Sequence, residues 1–174
     1  ENFGELLVPL NVKYIILAHE ADYQEYQFLN TQKDLQIAYQ GDRITLFRNT
    51  HPTGRFRGIN NTQSIRNWNE FLEFSRQEDT TNTIYLIRDG SLEESPNKDT
   101  LTGPLESSAL TPTHYLIPHA STPYLLFAPP GNAMTTGWTI KGKGPALKHL
   151  GFLPVYRDPA EKTMLIFSPF ENQY

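Results

Sequence analysis

Two lysines in a glycine-rich turn are the residues of this chain best suited to binding an anion. Lys141 and Lys143 alternate with Gly142 and Gly144 in the sequence KGKG, and Lys148 follows closely. Lysine charge and open backbone N–H groups in such a turn can hold a phosphate, either that of a lipid-linked donor or that of an anionic headgroup. An exposed hairpin tip explains the same residues equally well, so both interpretations stay open.

Aromatic side chains are candidates for sugar recognition, because they present flat apolar faces with polar edges. Together with the two lysines, the predicted ligand contacts are Trp138, Tyr124, Tyr156, Lys141 and Lys143. Core packing is the alternative for each aromatic residue. It is favoured for the two tryptophans, since Trp138 lies in an alternating strand pattern and Trp68 on an apolar helical stripe.

Other chemistries find less support in the residue types. The absence of cysteine excludes disulfides, thiolate catalysis and cysteine-ligated zinc. Neither a G-x-S-x-G turn nor a P-loop occurs. His114, His119 and His149 could supply three imidazoles to zinc, but a straight strand places the first two on opposite faces. Ordinary histidines are therefore favoured, and we expect no metal and no cofactor.

Hydrolysis of glycans would require two facing carboxylates roughly 5 to 9 Å apart. Asp89, Glu93, Glu94 and Asp158 are the acids that a structure could place in this way. Solvated loop acids are the favoured interpretation, so we predict no catalytic residue in this chain.

Composition limits the class of protein. The chain has 174 residues, 38% of them hydrophobic, a net charge of -4 and a pI near 5.7. This acidic balance lacks the positive field that nucleic-acid binding requires. The length suits one domain or two small ones. No apolar run reaches the roughly 18 residues of a membrane-spanning helix, and the missing initial methionine leads us to expect a fragment of a longer protein.

The first half of the chain predicts a mixed α and β structure. Residues 10–17, LNVKYIIL, predict a central strand buried on both faces. A short helix begins after Asp22, and a hairpin follows around Gly41 and Asp42. Residues 64–76 predict a second helix, with apolar residues at helical spacing.

The second half predicts strands. Residues 84–88 form a short strand and residues 89–112 a long polar loop. Five further strand-like runs are separated by turn residues, and they cover residues 115–117, 124–127, 138–140, 147–156 and 164–167. The expected fold class is α+β, with an α+β N-terminal subdomain at 1–80 packed with an antiparallel, jelly-roll-like β-sandwich at 81–174. The two subdomains could also form one compact unit.

These motifs resemble the extracytoplasmic part of the YfhO-like polytopic membrane proteins, which are related to glycosyltransferases. The segments that carry the resemblance are LNVKYIIL (10–17), LQIAYQGDRITLFRN (35–49), the proline-arginine segment 52–56, GWTIKGKG (137–144) and MLIFSPF (164–170). The resemblance implies that the chain lies on the extracytoplasmic face of a membrane, attached to a transmembrane part of the same polypeptide that holds the catalytic carboxylates.

Three functions follow as hypotheses. The first is a non-catalytic accessory domain of such a membrane protein, which assists recognition of a glycan or a lipid-linked sugar. The second is an independent carbohydrate-binding or adhesion module of a secreted protein. The third is a small glycan-active hydrolase.

Overall fold

The chain folds into two compact units, residues 1–53 (unit 1) and 54–174 (unit 2). The structure, a computed structural model, describes residues 2–20, 22–76, 80–87, 102–129 and 137–167. Segment 54–80, which the sequence places with the N-terminal subdomain, belongs to unit 2. The fold is mixed but rich in strands, with several antiparallel sheets. In the described residues, every helix is too short or too polar to cross a membrane.

Unit 1 is a three-stranded antiparallel sheet with short helices. Its elements are helix α1 (Phe3–Leu6), 3₁₀ helices at Val8–Leu10 and Tyr23–Thr31, and strands β1 (Tyr14–Ala18), β2 (Leu35–Gln40) and β3 (Ile44–Asn49). The strand order is β1-β3-β2. The predicted hairpin is confirmed as β2 and β3, and the Gly41 N–H closes it with a 2.9 Å hydrogen bond to the Ile44 carbonyl.

The segment LNVKYIIL does not form the predicted central strand. Strand β1 begins only at Tyr14 and pairs with β3 alone, so within the described part of unit 1 it is an edge strand. Leu17 is buried against Leu29 and Phe47, whereas Tyr14 and Ile16 are exposed. Only one face of this strand therefore lies in a core.

The predicted helix after Asp22 is present as the 3₁₀ helix Tyr23–Thr31. Asp22 stands at its start, but its side chain makes no capping hydrogen bond. Leu29 is the buried residue of this helix, while Tyr26 and Phe28 are exposed. The apolar stripe seen in the sequence thus meets the core through Leu29 and, in part, Tyr23.

Unit 2 contains eleven strands and one α-helix among its described residues. They are β4 (Phe56–Ile59), β5 (Asn61–Ile65), α2 (Trp68–Phe74), β6 (Thr83–Ile87), β7 (Gly103–Pro104), β8 (Ser108–Thr111), β9 (His114–Ile117), β10 (Tyr124–Phe127), β11 (Trp138–Ile140), β12 (Leu147–His149), β13 (Leu153–Arg157) and β14 (Thr163–Phe167), with a 3₁₀ turn at Thr80–Asn82. The predicted C-terminal strands are confirmed, and the run 147–156 divides into β12 and β13.

The helix predicted at 64–76 is shorter than expected. Residues up to Ile65 belong to β5, which pairs in parallel with β6, and α2 provides the crossover between them. Phe71 is buried, but Trp68 is 45% exposed. The prediction that Trp68 packs in the core is therefore wrong.

The loop predicted at 89–112 contains strands in its described part. Strand β7 pairs with β4, and β8 pairs with β9. Residues 88–101 lie outside the described residues. They include Asp89, Glu93 and Glu94, three of the four candidate catalytic acids.

Two antiparallel sheets of unit 2 share one hydrophobic cluster. Their strand orders are β12-β13-β10-β4-β7 and β11-β14-β9-β8. Phe56, Leu125 and Phe127 come from the first sheet, and Tyr115 and Leu165 from the second. All five are buried in the same cluster, so burial of apolar surface holds these sheets together.

Candidate functional site

The KGKG segment forms a tight two-residue hairpin at the end of β11. Ile140 and Lys143 exchange two backbone hydrogen bonds, each 2.9 Å long. Between them, Lys141 and Gly142 both have positive φ, of 51° and 74°. This pair of left-handed residues is the signature of a type I′ turn. All four residues of the KGKG segment are exposed.

A groove of about 300 Å³ lies between this hairpin and the segment that follows β13. Lys141 and Lys143 line one wall, and Arg157, Asp158 and Ala160 line the other. The second wall is held in place by a 2.9 Å hydrogen bond from the Asp158 N–H to the carbonyl of Pro123. Both walls belong to unit 2, so the groove forms within one compact unit.

The groove carries an excess of positive charge. Its lining contains the three cations Lys141, Lys143 and Arg157 and one carboxylate, Asp158. These four residues are exposed. The ion pairs among the described residues are His51–Asp34 and Arg66–Glu70, and neither involves the groove. The Arg157 guanidinium lies 5.8 Å from the Tyr124 ring centroid, a cation–π contact that helps to position it.

The structure brings three of the five predicted ligand contacts to this groove. Lys141, Lys143 and Tyr156 line it. Trp138 and Tyr124 do not, because they are only 3% and 1% exposed and belong to the hydrophobic clusters. Core packing, the alternative weighed from sequence, describes the place of both.

Tyr156 contributes a ring wall to the groove rather than a polar group. Its hydroxyl points into the core, where it donates a 2.9 Å hydrogen bond to the main-chain carbonyl of Trp138. Burial raises the pKa of the Tyr156 phenol well above its ordinary value. The hydroxyl is therefore neutral and already committed, so it is not available to a ligand.

Sequence reasoning missed Arg157 as a groove residue. It is the last residue of β13, and it lines the groove together with a hairpin that belongs to the other sheet. The signal available in the sequence was a basic residue next to a strand end and a proline turn, Arg157-Asp158-Pro159. That signal does not reveal which hairpin it will face.

Two of the three histidines that could have bound zinc, His149 and His114, have structural partners. His149 is fully buried, and its Nδ1 accepts a 3.0 Å hydrogen bond from the Tyr85 N–H, so the ring proton lies on Nε2. His114 Nδ1 lies within 3.0 Å of the hydroxyls of Thr111 and Thr113. No group of three or more metal-binding side chains occurs among the described residues.

Unit 1 contains a histidine–carboxylate pair, but its partners are structural. His51 Nε2 lies 3.2 Å from Asp34 Oδ2, which also accepts a 2.7 Å hydrogen bond from the Glu5 N–H. The adjacent hydroxyl of Thr50 donates to the Asp34 main-chain carbonyl rather than to His51. The Asn49 amide donates to the carbonyl of Gly4. This network fastens α1 to the sheet.

The arrangement in unit 2 is chemically suited to holding an anion. Two lysines and one arginine contribute to the lining of one groove, and lysine and arginine donate charge-assisted hydrogen bonds to phosphate. The single carboxylate of the lining does not form the pair that glycoside hydrolysis needs. No protein-family model, no curated protein and no solved structure matches this chain.

Proposed function

We propose that the chain is a non-catalytic binding module whose groove takes a phosphate-bearing sugar ligand. The observation that carries this proposal is that Lys141, Lys143 and Arg157 all line one groove of about 300 Å³. None of the three has an ion-pair partner among the described residues. A phosphate or diphosphate would supply the missing negative charge.

The other features of the groove suit a sugar phosphate. The apolar parts of Ile140, Ala146 and Pro159 and the ring of Tyr156 contribute to its lining. Sugar-binding sites combine such apolar surface with a few polar groups that fix orientation. Asp158 can accept hydrogen bonds from sugar hydroxyls. The groove thus offers cationic side chains for the phosphate, and apolar surface with one carboxylate for the sugar.

The test is a calorimetric titration with inorganic pyrophosphate and with a uridine-diphosphate sugar. Replacing Lys143 or Arg157 with glutamine should weaken binding of both probes by about tenfold, since each removes one charge-assisted hydrogen bond. Lys148→Gln is the matched control, because this exposed lysine of β12 is not part of the lining. Equal weakening by all three variants would point to a diffuse charge effect and would contradict a defined site.

We further propose, on the sequence resemblance, that this module is the extracytoplasmic accessory domain of a YfhO-like membrane protein. The transmembrane part of the same polypeptide would then carry the glycosyl-transfer chemistry, and the module would present the lipid-linked sugar to it. The complete coding sequence tests this proposal. Several apolar helices encoded next to this segment are expected, and their absence would exclude membrane attachment of this kind.

The finer architecture of unit 2 is also a proposal. The five-stranded and four-stranded sheets would form the two layers of a jelly-roll-like sandwich. Support comes from the cluster that contains residues of both sheets, and from the Tyr156–Trp138 hydrogen bond that joins β13 of one to β11 of the other. An experimental structure of residues 54–174 within the full chain would test the layer order.

An independent carbohydrate-binding module is the second candidate, favoured by one exposed aromatic side chain. Trp68 begins α2 and is 45% exposed, next to the exposed Leu72. Such a surface can stack on a sugar ring. Binding of neutral oligosaccharides that disappears in Trp68→Ala, with pyrophosphate binding unchanged, would favour this function. No binding of neutral oligosaccharides would exclude it.

A further inference from the structure

Asp158 contributes a carboxylate to a groove whose other charged lining residues are the cations Lys141, Lys143 and Arg157. The Asp158 side chain is exposed. In the part of the chain that the structure describes, no ion pair involves it. The three cations therefore do not neutralise this carboxylate, although they line the same groove. A ligand in the groove meets both kinds of charge.

The backbone holds Asp158 in a defined place on the groove wall. Its N–H donates a 2.9 Å hydrogen bond to the carbonyl of Pro123, and Pro159 follows it with a φ that the proline ring restricts. Asp158 itself has a φ of 46°, in the left-handed region. This conformation is uncommon for residues other than glycine, and such residues cluster at ligand-binding sites. The carboxylate is thus a fixed part of the wall.

A carboxylate in this place opposes the binding of a simple phosphate, because like charges repel at short range. It gains little from a neutral sugar hydroxyl, since that hydrogen bond replaces one to water. An ammonium group supplies the opposite charge to Asp158 and donates a charge-assisted hydrogen bond, which is roughly twice as strong as a neutral one. A ligand with one ammonium group and one phosphate group therefore complements all four charged side chains of the lining.

We infer that the groove selects amino-sugar phosphates, with Asp158 bound to the ammonium group and the three cations bound to the phosphate. This inference rests on the proposed function, because it names the class of sugar phosphate that the anion site takes. The groove volume of about 300 Å³ lies at the lower end of the range for small-molecule sites. It suits a single sugar ring with its phosphate, and the apolar surface of Ile140, Pro159 and Tyr156 packs against that ring.

Calorimetric titration of the full chain with matched ligands tests the inference. Glucosamine 6-phosphate and glucose 6-phosphate differ only by an ammonium group in place of one hydroxyl, and N-acetylglucosamine 6-phosphate keeps the nitrogen without the charge. The first should bind about fivefold more tightly than the other two, as one exposed pair of opposite charges provides. Phosphoethanolamine has both charges but no sugar ring, and it should bind more weakly than glucosamine 6-phosphate.

Three variants assign the preference to Asp158. Asn tolerates the left-handed conformation as Asp does, so Asp158→Asn removes the charge alone. In this variant the three sugar phosphates should bind equally, and pyrophosphate should bind more tightly than to the parent chain. Lys143→Gln should weaken binding of all three and keep the preference. Glu161→Gln is the matched control, because this exposed carboxylate lies just outside the lining, and it should change nothing.

The outcomes separate this inference from the proposed function. Equal affinity of the parent chain for the three sugar phosphates, with pyrophosphate bound, would overturn the inference and leave the anion site in place. Binding of neither pyrophosphate nor any sugar phosphate would overturn both. A preference that survives in Asp158→Asn, or that Glu161→Gln also abolishes, would contradict the role of Asp158. Tighter binding of phosphoethanolamine than of glucosamine 6-phosphate would exclude a sugar as the selected ligand.

Discussion

The hydroxyl of Tyr156 donates a 2.9 Å hydrogen bond to the main-chain carbonyl of Trp138. Tyr156 lies on β13 and Trp138 on β11, so this bond joins two different sheets. Both residues were candidates for ligand contact on their type alone. In the structure both residues are buried in the core of unit 2, where the hydrogen bond satisfies a buried carbonyl.

Replacing Tyr156 with phenylalanine should reduce the free energy of unfolding by about 1 to 3 kcal/mol, because the Trp138 carbonyl loses its buried partner. The ring stays in the groove wall, so affinity for pyrophosphate should not change. Urea unfolding and calorimetry measure the two quantities. Tyr39→Phe is the control, since Tyr39 is exposed, and its effect should stay within about 0.5 kcal/mol. Unchanged stability in Tyr156→Phe would show that the bond contributes nothing.

Stability should fall in alkaline solution because of Tyr156. Burial raises its pKa in the folded state above the ordinary value of 10.0. Above about pH 10 the unfolded chain therefore releases the phenolic proton while the folded chain retains it, which favours unfolding. This group lowers the unfolding free energy by up to about 1.4 kcal/mol per pH unit in that range. Urea unfolding at several pH values above 9 should show a steeper fall of the unfolding free energy in the parent chain than in Tyr156→Phe.

Local patterns predicted the strands of unit 2 well and the edges of the fold poorly. The run at Tyr124–Phe127 is apolar throughout and is a buried central strand, flanked by β4 and β13. LNVKYIIL has a similar pattern, yet Ile16 is exposed at an edge. Side-chain pattern reports which residues are apolar, while the number of neighbouring strands depends on tertiary pairing.

In the candidate site, too, the local sequence predicted the turn but not the residues that tertiary structure brings to it. The glycine at position 142 predicted a turn, and the turn is present with Lys141 beside it. Arg157 could not be assigned to the site, because Arg157 and the hairpin belong to different sheets, and a local sequence pattern does not show how two sheets pack. The helix predicted at 64–76 lost its first residues for a similar reason, since pairing of β5 with β6 outcompeted helical periodicity.

The two tryptophans should respond differently to substitution. Trp138 packs against Tyr115, Phe127 and Phe167, with ring centroids 4.9 to 5.5 Å apart. Trp138→Ala should therefore cost about 3 to 5 kcal/mol. Trp68 is its matched control, because it is half exposed and its described ring contact is with Phe71, so Trp68→Ala should cost about 1 kcal/mol or less. Denaturant unfolding of both variants measures this, and equal costs would contradict the assigned burial.

Helix α2 should depend on its cap. The Asn67 side chain accepts a 3.1 Å hydrogen bond from the Glu70 N–H, and Glu70 in turn accepts one from the Arg66 N–H. These bonds from Arg66 hold the Glu70 pKa below its ordinary value. Asn67→Ala should destabilise the chain by about 1 kcal/mol. Asn69 lies inside the helix, two residues after the cap, and Asn69→Ala should stabilise the chain by about 0.5 kcal/mol through helix propensity. Thermal unfolding measures both changes in stability. A change of the same sign in the two variants would contradict a role of Asn67 as the cap.

Lys141 should lower the stability of the chain and strengthen its binding of anions. It occupies the left-handed region with φ of 51°, a conformation that costs a non-glycine residue about 1 kcal/mol or more. Asparagine adopts this conformation more readily, and Asn-Gly is the preferred pair in a type I′ turn. Lys141→Asn should therefore raise the unfolding free energy by roughly 0.5 to 1 kcal/mol and weaken pyrophosphate binding, because one of three groove cations is lost. Lys162→Asn, at an exposed position outside the groove lining, is the control and should leave affinity unchanged. A variant that gains stability while keeping full affinity would remove Lys141 from the site and restrict it to the turn.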